Sequence, residues 1–180
     1  MRGPVAIALL AALALLCCGP VEAAPSLEAG IKATFLYKFV PFVQWPQGAF
    51  ATATSPVNIC TIGNDPVTNL IDDAVANQRV EQRPIAVRHL TTVGRDDGCH
   101  ILYVTGPAGA AADGALLAVR GLPVLTVTDA EVLPNTPAVV SFVLQANRVS
   151  FDIDEAAAAQ NELVINSKLL SLARRVRPRP

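Results

Sequence analysis

The sequence predicts a single compact α/β domain: a mixed, mostly parallel sheet flanked by helices, closed by a C-terminal hairpin and a terminal helix. Three observations predict it. Short runs rich in β-branched and aromatic residues recur along the chain, each bounded by Gly, Pro, Asn or Asp turn formers. Helical stretches fall between several of these runs, and that alternation builds a parallel sheet through crossover helices. Near the end, two strand-like runs are separated only by Gln145-Ala146-Asn147-Arg148, a hairpin spacing.

The first residues bound the compartment. Arg2 supplies a positive start, 5–16 is an unbroken apolar run, and Val21-Glu22-Ala23 is a small-residue site that permits cleavage before Ala24. Residues 1–23 therefore read as a secretory signal peptide, and 24–180 as one domain, expected in the periplasm. A membrane-spanning helix needs about 20 apolar residues, and Gly19-Pro20 stops this run short. The alternative is a lipoprotein anchored through Cys17 or Cys18, but the residue before a lipidated cysteine is normally small, and Leu16 or Cys17 stands there. The leader also inflates the 52% hydrophobic content of the chain, so that figure does not argue for residence in a membrane.

From Ser26, a plausible N-cap, Ile31, Phe35, Leu36, Phe39, Val40 and Val43 recur at helical spacing. Pro41 is expected to kink or end that helix, because proline removes a backbone donor. The aromatic run continues to Trp45 and Phe50 and is expected to form a core seam over one sheet face. A strand over 57–62 follows, and Gly63-Asn64-Asp65-Pro66 then opens a helix over 66–76 with Asn64 or Asp65 as cap. The segment 80–90 turns extended near Pro84, and Asp96-Asp97-Gly98 is a turn into a strand over 99–105. An alanine- and leucine-rich helix over 108–120 stops at Gly121. Strands at 124–128, 138–144 and 149–153 come next, and the chain closes with short helix 154–160, extended 163–165 and a helix from Asn166 or Ser167 through Val176.

Chemistry is sparse. Beyond the leader the chain has two cysteines, Cys60 and Cys99, so in an oxidising compartment they pair with each other within one chain. They are not in a C-x-x-C arrangement, so the bond reads as structural. His89 and His100 are too far apart for a metal motif, and no G-x-S-x-G, S-x-x-K or Walker pattern occurs. No catalytic residue, metal or cofactor is therefore expected. A net charge of −1 argues against nucleic-acid partners, and the basic cluster Lys168, Arg174, Arg175, Arg177 and Arg179 reads as a solvated helix end. Asp129, at a strand's carboxyl end, stands where α/β sheets place ligand contacts. A small-molecule pocket built from Phe35, Phe39, Trp45 and Asp129 is the alternative to a protein-binding role.

Several collinear segments resemble one family. They are Lys32-Ala33-Thr34-Phe35-Leu36-Tyr37-Lys38-Phe39, Phe42-Val43-Gln44-Trp45-Pro46, Val57-Asn58-Ile59-Cys60, Gly63-Asn64-Asp65-Pro66, Arg83-Pro84-Ile85-Ala86-Val87-Arg88, Cys99-His100-Ile101-Leu102-Tyr103, Pro123-Val124-Leu125-Thr126-Val127-Thr128-Asp129, Asn147-Arg148-Val149-Ser150-Phe151-Asp152-Ile153 and Ile165-Asn166-Ser167-Lys168-Leu169. Together they are similar to the YfiR-type (YfiR/HmsC-like) periplasmic proteins. The resemblance implies a compact, often dimeric α/β domain with a disulfide at Cys60 and Cys99, and a regulatory rather than enzymatic role. It implies repression of an inner-membrane diguanylate cyclase, or a similar sensor, by contact with its periplasmic part, which lowers cyclic-di-GMP and biofilm formation. An outer-membrane lipoprotein is implied as a second partner. Carried over by motif, the partner contacts are Asp152, Ile153, Lys168 and Leu169. The family pattern has glutamate at the place of Asp152 and serine at that of Asn166.

Overall fold

The computed structural model describes residues 27–106, 109–129 and 136–179; the expected leader, with Cys17 and Cys18, and the expected cap Ser26 lie outside them. The first helix, α1 (Leu27–Lys38), buries Ala29, Lys32, Ala33 and Leu36. It ends before Pro41, and the chain tightens into a 3-10 turn at Val40–Phe42, whose early position suits a residue with no N–H to donate. Strand β1 (Val43–Gln44) follows, then a long loop, then β2 (Val57–Ile62).

Helix α2 (Pro66–Val75) starts as its sequence dictates. Asp65 is the N-cap, its carboxylate accepting the Thr68 N–H at 2.8 Å while the Thr68 hydroxyl accepts the Asp65 N–H at 3.0 Å, with Pro66 at the first position. The short β3 (Arg79–Val80) and the long β4 (Arg83–Leu90) form a tight hairpin. Next come β5 (Ile101–Val104), α3 (Ala110–Ala118) and β6 (Leu125–Thr128). Strands β7 (Val140–Gln145) and β8 (Arg148–Asp154) form the expected hairpin, turning through Ala146 and Asn147 at φ 47° and 60°. The chain closes with α4 (Glu155–Gln160), β9 (Val164–Ile165), α5 (Ser167–Leu170) and β10 (Arg175–Arg177).

Eight strands make one sheet in the order β10-β8-β7-β6-β5-β2-β4-β3, and β1 pairs separately with β9. From β4 to β7 all neighbours are parallel; β8 turns antiparallel and β10 runs parallel to it. Side-chain alternation splits the interior in two. Ile59, Ile101, Tyr103, Leu125 and Val127 face α1 and α2 together with Phe39, Phe142 and Phe151. Cys60, Leu102 and Val104 face α3 through Ala112, Ala115 and Leu116. Leu36 and Ile71, fully buried at the helix–sheet seam, each contribute about 2 kcal/mol by leaving water.

One expectation is corrected here. The terminal helix is a single turn, and the basic residues after it enter the sheet as β10 instead of extending the helix. The reason is tertiary: Arg174 N–H donates to Phe151 C=O and Val176 registers with Ile153, so this segment finds backbone partners along the β8 edge. The aromatic seam forms on one core: Phe35 and Phe39 stack on Phe142 and meet Phe151 edge-on, and Trp45, edge-on to Phe50 at 5.6 Å, packs against the same cluster from the loop before β2.

Cys60, on central β2, is bonded to Cys99, just ahead of β5, with Cα atoms 5.7 Å apart. The bond closes a loop across a sequence separation of 39, a loop-entropy stabilisation of about 4 kcal/mol. Replacing both cysteines with alanine is expected to lower the urea-unfolding free energy by about 2–5 kcal/mol with the native far-ultraviolet spectrum retained; a loss under about 1 kcal/mol would show that the bond does not constrain the unfolded chain.

Candidate functional site

Three places collect polar or aromatic groups beyond what packing needs. The first is the carboxyl end of the central strands, where the strand order reverses between the parallel β2 and β5, a position at which open α/β sheets hold ligands. Gly63, at φ 106°, makes this junction: a Cβ there would stand 2.5 Å from the Thr105 carbonyl oxygen. Asp65 accepts hydrogen bonds from the Tyr103 and Thr105 hydroxyls, both at 2.9 Å. Lys32 reaches from α1 to Glu28 at 2.6 Å and Asp129 at 3.2 Å. Burial disfavours the Lys32 charge, but these two carboxylates outweigh it and raise its pKa above the ordinary 10.5. Burial and the neighbouring Asp129 and Asp65 charges likewise push the Tyr103 hydroxyl far above its ordinary 10.0, so it serves only as a neutral donor. Because the Asp65 carboxylate already occupies the positive pole of α2, the junction is not free to take a phosphate. It is an ion-paired clamp between α1, α2 and the sheet.

The second place joins Thr61, His89 and Asp72. Thr61 Oγ1 lies 2.9 Å from His89 Nδ1, and His89 Nε2 lies 2.7 Å from Asp72 Oδ2. The residue types are those of a nucleophile–base–acid relay. Thr61 is only 1% exposed, however, so its hydroxyl meets no substrate, and the trio pins β2, β4 and α2 together. The sequence carried no sign of it, because its members come from three separate elements.

The third is the sheet edge made by β8, β10 and α5, where the residues that the family resemblance implies as partner contacts stand. Asp152 grips Arg174 bidentately, with Nε at 2.8 Å and Nη2 at 2.5 Å. Asp154 caps α4 through the Ala157 N–H at 2.8 Å and pairs with Arg177 at 3.2 Å. Asn166 caps α5 by accepting the Lys168 N–H at 2.9 Å, which leaves the Lys168 side chain exposed. Ile153 and Leu169 are each 2% exposed and belong to the core. By strand alternation Asp152 faces away from Ile153. Of the four residues, Ile153 and Leu169 are withdrawn into the core, and only Asp152 and Lys168 have side chains that reach solvent.

The candidate pocket residues are dispersed in the same way. Phe39 is 1% exposed in the core with the half-buried Phe35 beside it; Asp129 lies at the Lys32 clamp, and Trp45 in the separate loop. That loop is held from β4 and β5. His100 accepts the Asn58 N–H on Nδ1 at 3.1 Å and donates from Nε2 to the Ala49 carbonyl at 2.9 Å, while its ring stacks on Phe50 at 4.2 Å. Burial, aided by the Arg83 charge and opposed by the Ala49 bond, lowers the His100 pKa below 6.5.

A model of the family described as YfiR/HmsC-like matches residues 29–174, from the first turn of α1 to Arg174. No curated protein matches the chain.

Two predictions follow from this geometry. Ile153→Asp or Leu169→Asp places a charge in the core and is expected to cost about 3 kcal/mol or more, seen as loss of the cooperative melt; a native melt would show that these side chains are not buried. For His100 the folded pKa lies below the unfolded 6.5, so the unfolded chain takes up the proton first. Stability is full above pH 6.5 and falls as pH drops from there to the folded pKa. Urea midpoints between pH 8 and pH 5 should show a decline that His100→Gln makes shallower, and equal slopes would exclude His100 as the source.

Proposed function

Since the chain belongs to the YfiR/HmsC-like family, we propose that it is a periplasmic regulatory binding protein that holds an inner-membrane diguanylate cyclase, or a similar sensor, inactive by binding its periplasmic part. Cyclic-di-GMP output and biofilm formation then fall when the partner is occupied. The observation that carries the reading is the family match, which runs from α1 to Arg174 and so includes β8 and α5 of the candidate edge, stopping just before β10. The edge itself supports it. A basic strand, with Arg175 exposed, beside the exposed Lys168 suits a partner surface with complementary acidic groups. Ile153 and Leu169 act in this reading from below, as the packed floor that fixes where β8 and α5 stand. An outer-membrane lipoprotein that competes for the protein, and a second copy of the chain, are the further partners of the proposal.

The test is affinity capture from the detergent-solubilised envelope of the protein's own cell, read by mass spectrometry. A membrane-spanning cyclase or sensor is the expected product, and recovery of the protein alone would count against the reading. Lys168→Glu is expected to reduce recovery roughly tenfold with little change in melting, since a single exposed charge contributes only about 0–1 kcal/mol. Unchanged recovery would remove this edge from the contact.

A further inference from the structure

The loop before β2 walls a cleft of about 350 Å³ between Val40 and Pro41 on one side and the β3–β4 hairpin on the other, with Trp45, Phe50, Val80, Glu81 and Arg83 in its lining. That is the size range of small-molecule sites. One group in it is not used up by the fold. Arg83 gives only Nη1 to the protein, donating to the Thr52 and Ser55 carbonyls at 2.6 and 3.0 Å. Its guanidinium carbon stands 3.9 Å from the Phe50 ring centroid, and His100 stacks parallel to the same ring at 4.2 Å. The guanidinium is therefore held in place while Nε and Nη2, the pair of donors that matches a carboxylate, carry no hydrogen bond among the described residues.

We propose that this cleft binds a small monocarboxylate with an apolar body. The carboxylate sits on the open edge of Arg83, and the apolar body lies against Trp45, Pro41 and Val80. The unused groups are donors, which selects an acceptor-rich ligand. The exposed Glu81 at the mouth opposes a second negative charge, so a monoanion is preferred to phosphate. Nothing in this site draws on the β8–β10–α5 edge, and its test needs no partner protein.

The test is titration of the purified protein with hexanoate, 1-hexanol, hexylamine and inorganic phosphate, read by calorimetry and by the emission of Trp45, the chain's single tryptophan. Hexanoate is expected to saturate, shift the emission and bind roughly tenfold or more tightly than hexanol, the value of a charge-assisted hydrogen bond. Arg83→Gln should erase that preference. Because Arg83 also holds the Thr52–Ser55 turn, Glu81→Gln at the exposed rim is the companion variant, expected to tighten hexanoate severalfold without touching the fold. Equal binding of hexanoate, hexanol and hexylamine, the absence of saturation, a hexanoate affinity that neither variant changes, or displacement of hexanoate by phosphate would each overturn the proposal.

Discussion

Burial of β2 and β5 on both faces is the constraint on which the rest of this structure depends. Ile59, Cys60, Ile101 and Leu102 are all at 0% exposure, so neither face of the central pair can be left to water. Helices must cover both, and the parallel β2–α2–β4 and β5–α3–β6 crossovers supply them on opposite sides. The same burial leaves backbone groups only two directions for hydrogen bonding, along the sheet. The strands therefore add outward from this pair until the edges are reached at β3 and β10, both short, as solvent-facing edges tend to be.

Charge follows from that geometry. At the carboxyl ends of the central strands, Asp65, Lys32 and Asp129 are partly withdrawn from water, and each is matched by a hydroxyl, an ammonium or a carboxylate. Removing one member would strand another, which makes such a cluster a fixed joint and not a free binding site. The opposite holds at the loop before β2. There Arg83, Phe50 and His100 stack in series, and the loop is positioned by bonds that leave part of the guanidinium unspent. The two regions show how the same residue types become structure or site according to whether their donors are exhausted.

The cleft and the β8–β10–α5 edge are neighbours in the architecture. Val43, which lines the cleft, pairs with Ile165 across β1 and β9, and the Asn166 N–H donates to the Phe42 carbonyl at 2.8 Å just before α5 begins. One two-stranded ribbon thus joins the wall of the cleft to the helix that carries Lys168. Leu169, packed in the main core, ties the far side of that helix down.

The sequence by itself determined the strands 57–62, 124–128 and the hairpin, the Asp65–Pro66 helix start, and the disulfide partner of Cys60, because alternation, capping chemistry and cysteine count act over a few residues or leave no choice. The family segments were legible for the same reason. What only the tertiary structure decided is which of those residues remain available. Ile153 and Asp152 are adjacent in the chain, yet one is core and the other surface. Arg175–Arg177 reads as a helix end until the open edge of β8 offers it backbone partners. His89 gains Thr61 and Asp72 through packing between segments distant in sequence. Local patterns set conformation over the few residues they span; burial and the satisfaction of polar groups depend on neighbours that only the folded chain brings together.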